Sequence, residues 1–140
     1  MKVFIDTCAM ISRYINQGKD TEKLENYLDK ATEIYVAPTY LIEANHVFGR
    51  LKKEEKKNIE LHQIYDILYN ELVEDFMSFS VVSFSKELQI SAIKYTREGI
   101  KTLDSIQLAS AEISKSKLFL TSDKQLKKFV NSSLYEVVFI

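Results

Sequence analysis

The chain has 140 residues, of which 46% are hydrophobic and 28% charged, as in folded globular domains and unlike disordered segments. Only three glycines and one proline are present, which disfavours collagen-like and turn-rich all-β architectures. The net charge of −1 gives no general attraction to nucleic acids, so such binding would need a local basic patch or a bound cation. At roughly 150 residues per domain, we expect residues 1–140 to form one domain.

The apolar runs and the cysteine content indicate where the chain resides. The longest uninterrupted apolar runs are four residues, for example Ile34 to Ala37, which is too short for a membrane span or a signal-peptide core. The single cysteine, Cys8, cannot form an internal disulfide, as is usual in a reducing compartment. We therefore expect a cytoplasmic protein with no membrane association.

Short apolar strands alternate with amphipathic helices in the first half of the chain. Strands are predicted at Val3 to Ile5 and at Ile34 to Ala37. Helices are predicted from about Thr7 to Asn16, where Gly18 marks the stop, from Thr21 to about Lys30, and, after Pro38, along an apolar stripe from Tyr40 to Leu51.

The same alternation continues in the second half. Helices are predicted from about Glu54 to Phe76, from a cap at Ser85 to a break at Gly99, and from Asp123 to about Val130. A further helix, with small residues on its packing side, is predicted over the segment that contains Leu103, Ile106, Ala109, Ser110 and Ile113. The predicted strands are Val81 to Phe84, Leu118 to Leu120 and Val137 to Ile140. Five such strands separated by helices predict a parallel sheet covered by helices on both faces, a three-layer α/β/α fold.

Four acidic residues fall where such a fold binds its ligands, at the carboxyl ends of the strands. Asp6 directly follows the first strand, and Asp123 follows the fourth strand after Thr121 and Ser122. Asp104 lies in the first turn of the helix after Gly99, and Glu43 lies at the edge of its helical stripe, three residues after Tyr40.

Helix capping offers a simpler explanation for three of these acids. An aspartate at a helix start satisfies free N–H groups and complements the helix dipole, which would account for Asp6, Asp104 and Asp123 separately. The segment from Ser122 to Gln125 fits a capping box with Ser122 as the cap. Glu43 is less easily explained in this way, because a charged side chain beside a core stripe needs a partner.

Each acid belongs to a short segment, and the four segments follow one another along the whole chain. They are Val3-Phe4-Ile5-Asp6-Thr7, Leu41-Ile42-Glu43-Ala44, Thr102-Leu103-Asp104-Ser105-Ile106-Gln107-Leu108-Ala109-Ser110-Ala111 and Leu120-Thr121-Ser122-Asp123. In order and spacing they resemble the PIN-domain family, in particular the small ribonucleases typified by VapC toxins. The third segment is the most specific, because an aspartate in the first helical turn precedes a Leu-Ala-Ser-Ala run.

The resemblance implies a PIN-like sheet of strand order 3-2-1-4-5 and an acidic pocket that binds Mg²⁺ or Mn²⁺ and cleaves RNA. By position, it makes Asp6, Glu43, Asp104 and Asp123 both the metal ligands and the catalytic residues, with Thr7 and Thr121 in support. Such chemistry suits carboxylates, because hard divalent cations prefer oxygen ligands whereas zinc sites normally recruit His or Cys. The sequence leaves open whether one or two ions act.

The resemblance also implies partners. It suggests the toxin half of a toxin–antitoxin pair, with an antitoxin that presents an Arg or Lys to the carboxylates, and a homodimer face that includes Tyr65 and Tyr69. The lysines that could contact RNA phosphates form two clusters, Lys52, Lys53, Lys56 and Lys57, and Lys124, Lys127 and Lys128. The alternative is a non-catalytic PIN-like module that binds RNA or protein and keeps the acids as helix caps.

Overall fold

The computed structural model describes residues 1–15, 19–129 and 134–140 as strands, helices and their connections. The strands are β1 Lys2–Ile5, β2 Glu33–Val36, β3 Ser80–Val81, β4 Leu118–Thr121 and β5 Glu136–Phe139. The α-helices are α1 Thr7–Ile15, α2 Lys19–Lys30, α3 Tyr40–Glu54, α4 Ile59–Phe76, α5 Lys86–Arg97 and α6 Thr102–Ser114, and a short 3₁₀ helix spans Lys124–Lys128.

The five strands form one parallel sheet in the order β3-β2-β1-β4-β5. This confirms the strand order and the parallel arrangement expected from the sequence. β2 and β3 lie on one side of β1, whereas β4 and β5 lie on the other, so the order of strand addition reverses between β1 and β4. These two strands are paired in parallel with Ile5 opposite Leu120. The residues that follow these two strands are therefore neighbours at the sheet edge where parallel sheets bind ligands.

Each face of the sheet carries its own hydrophobic core, because successive side chains of a strand point to opposite faces. Val3 and Ile5 of β1 lie in the core covered by α1, α2, α3 and α4. Phe4 lies in the other core, under α5 and α6, where its ring stacks on Phe119 of β4 at 5.5 Å between centroids. The two cores confirm the predicted three-layer arrangement.

Several elements begin or end at residues other than those predicted. α4 begins at Ile59 rather than Glu54, because Asn58 caps it by accepting a hydrogen bond from the backbone N–H of Leu61 at 3.0 Å. β3 comprises only Ser80 and Val81 instead of Val81 to Phe84, and it pairs with β2 alone. The last predicted helix is a short 3₁₀ helix that begins at Lys124 instead of Asp123. Asn16, Gly18 and Val130, which figured in the predictions, lie outside the described residues.

One expectation about which side chains pack also changes. Leu103, placed on the packing side of α6, is 48% exposed, whereas Ser110 is buried there as predicted, together with Gln107. Tyr65 and Tyr69, assigned to a dimer face, pack edge-on against Phe48 within the molecule. Within the described part of the chain, no helix is long and apolar enough to cross a membrane.

Two glycines allow a matched test of the backbone. Gly99 adopts φ +91°, which strains any L-residue, whereas Gly49 is exposed within α3, and an added Cβ meets no atom within 4 Å at either position. We expect Gly99→Ala to lower the free energy of unfolding by about 1–2 kcal/mol, and Gly49→Ala to raise it by up to about 1 kcal/mol. Denaturant unfolding measures both changes, and equal effects of the two substitutions would contradict the backbone explanation.

Candidate functional site

Asp6 is held at the junction of the two central strands. Its backbone N–H donates to the carbonyl of Leu120 at 2.9 Å, which continues the pairing of β1 with β4. Its side chain is only 5% exposed, and Oδ2 accepts a hydrogen bond from Oγ1 of Thr121 at 2.9 Å. Thr121 is the last residue of β4 and is fully buried. The predicted supporting hydroxyl of Thr121 thus contacts the predicted ligand Asp6.

Burial makes the charged form of Asp6 unfavourable. It is the largest of the effects that raise the pKa of Asp6 from 3.8 to about 7. The negative charges of Glu43 and Asp104 raise this pKa further, whereas the hydrogen bonds from Thr121 and from the backbone N–H of Cys8 lower it. Asp6 therefore lies within the electrostatic reach of two other predicted site residues.

Glu43 is held through one of its two carboxylate oxygens. Oε2 accepts hydrogen bonds from Oγ1 of Thr7 at 3.0 Å, Oγ1 of Thr39 at 2.8 Å and Nε2 of Gln107 at 2.8 Å. These donors come from the start of α1, the N-cap of α3 and the middle of α6. Partial burial is the main cause that raises the pKa of Glu43, and the three hydrogen bonds oppose it.

Asp104 lies in the first turn of α6 without capping it. The N-cap of α6 is Lys101, and no side chain makes a cap hydrogen bond there. Partial burial raises the pKa of Asp104, the negative charge of Asp123 adds to this rise, and Lys101 opposes it. Its side chain is therefore available to the site.

Asp123 does cap a helix. Its Oδ1 accepts a hydrogen bond from the backbone N–H of Gln125 at 2.9 Å at the start of the 3₁₀ helix. The predicted capping box with Ser122 as the cap is therefore wrong, because Asp123 itself holds the N-cap position. The backbone N–H of Asp123 donates to Oγ1 of Thr121 at 3.1 Å, which links this acid to the hydroxyl that holds Asp6.

The four acids share one electrostatic neighbourhood around Cys8. The pKa of the Cys8 thiol rises to about 11, chiefly through burial and then through the negative charges of all four acids, Asp6, Glu43, Asp104 and Asp123. The side chains are nevertheless not a preformed ligand set. Among the residues described, no three or more His, Cys, Asp or Glu side chains form a group that could hold a metal ion.

Two residues at the site were not predicted as site residues, Thr39 and Gln107. Thr39 lies one helical turn before Glu43 at the start of α3. This spacing is the only feature of the sequence that indicates Thr39 as a partner of Glu43. Gln107 is a long polar residue in the otherwise small and apolar run from Ile106 to Ala111, and it is 1% exposed. A buried amide needs hydrogen-bond partners, and this requirement could have identified it.

The comparisons with known proteins agree with this fold. The PIN domain family model matches residues 3–131, so the chain belongs to the PIN domain family. Among curated protein sequences, none matches significantly.

Several solved structures share the whole architecture at low sequence identity. The VapBC2 complex from Rickettsia felis, bound to a DNA fragment from its promoter, contains a chain 13% identical with a TM-score of 0.69, and the match covers 100% of this chain and 99% of that one. A toxin–antitoxin complex from Klebsiella pneumoniae gives 17% identity, a TM-score of 0.65 and coverages of 97% and 95%. VapBC-5 from Mycobacterium tuberculosis contains a chain that is 12% identical with a TM-score of 0.62, and the match covers 99% of this chain and 98% of that one.

The buried carboxyl of Asp6 predicts a pH-dependent stability in metal-free buffer. Folded Asp6 keeps its proton up to about pH 7, whereas the unfolded chain loses it near 3.8, so the free energy of unfolding falls as pH rises between these values. At pH 8 we expect Asp6→Asn to be more stable than wild type by up to about 4 kcal/mol, and the difference to vanish towards pH 4.

Thermal unfolding across this pH range measures the effect. Asp29→Asn, which neutralises an exposed carboxylate on α2, is the control and is expected to show no comparable gain. A lower melting temperature for Asp6→Asn at pH 8 would instead favour the helix-capping role of Asp6 over electrostatic strain.

Proposed function

We propose that this protein is a metal-dependent endoribonuclease that hydrolyses RNA phosphodiester bonds and acts as the toxin of a toxin–antitoxin pair. The observation that carries the proposal is a buried carboxyl, Asp6, whose pKa is raised to about 7 partly by the charges of Glu43 and Asp104. A chain gains no stability from gathering like charges at a buried edge, so this arrangement favours a positively charged ligand over helix capping.

The chemistry of the site fits Mg²⁺ or Mn²⁺. All the predicted ligands offer carboxylate oxygens, which hard divalent cations prefer. Binding would have to bring these carboxylates closer together than they stand without a cation. We propose Asp6, Glu43 and Asp104 as the principal ligands, and Asp123 as the residue that holds a second ion or orients water.

Different side chains of this protein would bind the cation and orient its ligands. A bound cation would supply positive charge opposite the phosphate and acidify a coordinated water. Asp6, Glu43 and Asp104 would bind the cation, and Thr121 and Thr7 would keep the carboxylates of Asp6 and Glu43 oriented through the hydrogen bonds they donate. Asp123 would hold a second ion or orient the attacking water through Oδ2, because its Oδ1 already caps the 3₁₀ helix.

RNA is the substrate class that the family membership supports best. A net charge of −1 means that phosphate contacts would depend on the cation and on local lysines. Lys101 is a candidate because its charge already acts on Asp104. Lys52 is a weaker one, since its Nζ pairs with Asp66 at 2.7 Å. An RNA substrate also favours the cytoplasm as the place of action.

The alternative, a non-catalytic binding module, has partial support from capping. The backbone N–H of Cys8 hydrogen-bonds to Asp6, and Asp123 caps the 3₁₀ helix. Capping does not explain Asp104, since the cap of α6 involves no side-chain hydrogen bond, nor Glu43, whose donors are side chains. These two residues therefore favour the nuclease.

Cleavage of a labelled RNA in the presence and absence of Mn²⁺ tests the proposal. We expect Asp6→Asn and Asp104→Asn each to lower the cleavage rate by about 100-fold or more, and Asp29→Asn to leave it unchanged. Mn²⁺ at a hundred times its dissociation constant should stabilise the wild type by about 2.7 kcal/mol and either site variant by less. Unchanged cleavage in both site variants would rule out the nuclease.

The antitoxin partner is proposed because the structural neighbours named above are toxin–antitoxin complexes. The partner would place an Arg or Lys among the carboxylates, where a charge-assisted hydrogen bond is strongest. A homodimer is also proposed, and the exposed apolar residues of α4, Ile59, Ile64 and Ile67, are better candidates for its face than the packed Tyr65 and Tyr69.

Growth of a bacterial host reports on the toxin role. We expect expression of the wild-type chain to arrest growth, and Asp104→Asn at equal protein level to relieve the arrest, because the cation site is lost. Co-expression of the reading frame adjacent to the gene should restore growth with the wild-type chain. Equal arrest of growth by wild type and Asp104→Asn would show that the toxicity does not come from this site.

A further inference from the structure

Gln107 is buried within α6 and binds the site through a single nitrogen. It is 1% exposed, and Nε2 donates to Oγ1 of Thr7 and to Oε2 of Glu43, both at 2.8 Å. Its other polar atom, Oε1, is buried without a hydrogen-bond partner among the described residues. The amide is therefore satisfied only on the side that faces Glu43.

This arrangement is unfavourable for stability alone. A buried carbonyl oxygen without a partner loses its hydration and gains nothing in return, whereas an apolar side chain of the same length would avoid the loss. Ser110, one turn further along α6, also has a buried Oγ without a partner, but it makes no contact with a site acid that the structure records. Gln107 and Ser110 thus form a matched pair that differs in the link to Glu43.

The hydrogen bonds of Gln107 select one oxygen of Glu43. The amide nitrogen of Gln107 donates to Oγ1 of Thr7 and to Oε2 of Glu43, and these two acceptors are themselves joined by a hydrogen bond. Because the Thr7 oxygen accepts from the amide, its own hydrogen is directed to Oε2 of Glu43. Among the described residues every donor to this carboxylate binds Oε2, which leaves Oε1 free.

We propose that Gln107 is a positioning residue that fixes the Glu43 carboxylate through Oε2, so that Oε1 is presented to the divalent cation. The inference rests on the proposed function, since it assigns the orientation of one proposed ligand. Partners that orient metal ligands typically change metal affinity by about 10–100-fold when they are removed. Gln107 contributes in this way without touching the cation or the substrate.

The test compares Gln107→Met with Ser110→Ala in the full chain at pH 7.5. Methionine keeps the length of glutamine and removes both polar atoms. Mn²⁺ affinity is measured from the electron paramagnetic resonance signal of the free ion, together with the Mn²⁺ concentration that gives half-maximal RNA cleavage. We expect Gln107→Met to raise the Mn²⁺ dissociation constant and the half-maximal Mn²⁺ concentration by about 10-fold each and to change the rate at saturating Mn²⁺ by less than about three-fold. We expect Ser110→Ala to change none of these values.

A double-variant comparison separates positioning from a general structural effect. In the Glu43→Ala background the ligand is gone, so Gln107→Met is expected to have no further effect on Mn²⁺ affinity. Thermal unfolding without metal should show Gln107→Met to be at least as stable as wild type. Gln107→Leu is the second variant if the methionine variant does not fold.

The possible failures are distinguishable. If wild type binds Mn²⁺ and cleaves RNA but Gln107→Met binds Mn²⁺ equally well, the positioning role is wrong and the nuclease stands. If Gln107→Met weakens binding equally with and without Glu43, the role is structural and the inference is also wrong. If wild type neither binds Mn²⁺ nor cleaves RNA, both the proposed function and the inference are overturned.

Discussion

Burial of the Asp6 carboxylate, where β1 ends beside β4, is the constraint on which the rest of the site depends. The sheet fixes the position of Asp6, because the backbone N–H of this residue extends the hydrogen-bonded ladder to Leu120. The side chain is thereby withdrawn from water, and its pKa rises to about 7. A neighbouring acid can then lie close only if hydrogen bonds or a cation compensate the charge. The polar side chains around the site provide the hydrogen bonds.

These polar side chains divide between the two central acids. Thr121 holds Asp6 from β4, while Glu43 is held by Thr7 of α1, by Gln107 of α6 and by Thr39 at the N-cap of its own helix. Because the hydrogen bonds from Thr121, Thr7 and Gln107 join elements that are distant in the chain, the orientation of the carboxylates is tied to the packing of the whole fold. Asp104 has no such donor in the described contacts, which leaves its carboxylate the least constrained of the three principal acids. The site thus combines two oriented carboxylates with one that can adjust.

The low sequence identity to the structural neighbours is compatible with a shared fold. Chains that are 12–17% identical share this architecture with TM-scores of 0.62–0.69. A three-layer fold requires apolar residues at the correct periodicity on strands and helices, and many sequences satisfy this requirement. Fold similarity at this level therefore says little about the side chains of the site. Support for the function comes instead from the burial and hydrogen bonds of Asp6 and Glu43, and from the negative charge of Asp104 that acts on both.

Residue periodicity by itself determined the fold class and placed the four acids at strand and helix ends. The motif resemblance added the strand order and the grouping of these acids, which share one electrostatic neighbourhood. Both succeed because alternation and helical spacing depend on local geometry, and because the ends of parallel strands meet at one edge. Only the tertiary structure decided that Asp123 rather than Ser122 caps the 3₁₀ helix, that Leu103 is exposed, and that Gln107 reaches Glu43 across 64 positions. Contacts between distant segments depend on how helices pack, and no spacing along one chain records the rotation of one helix against another.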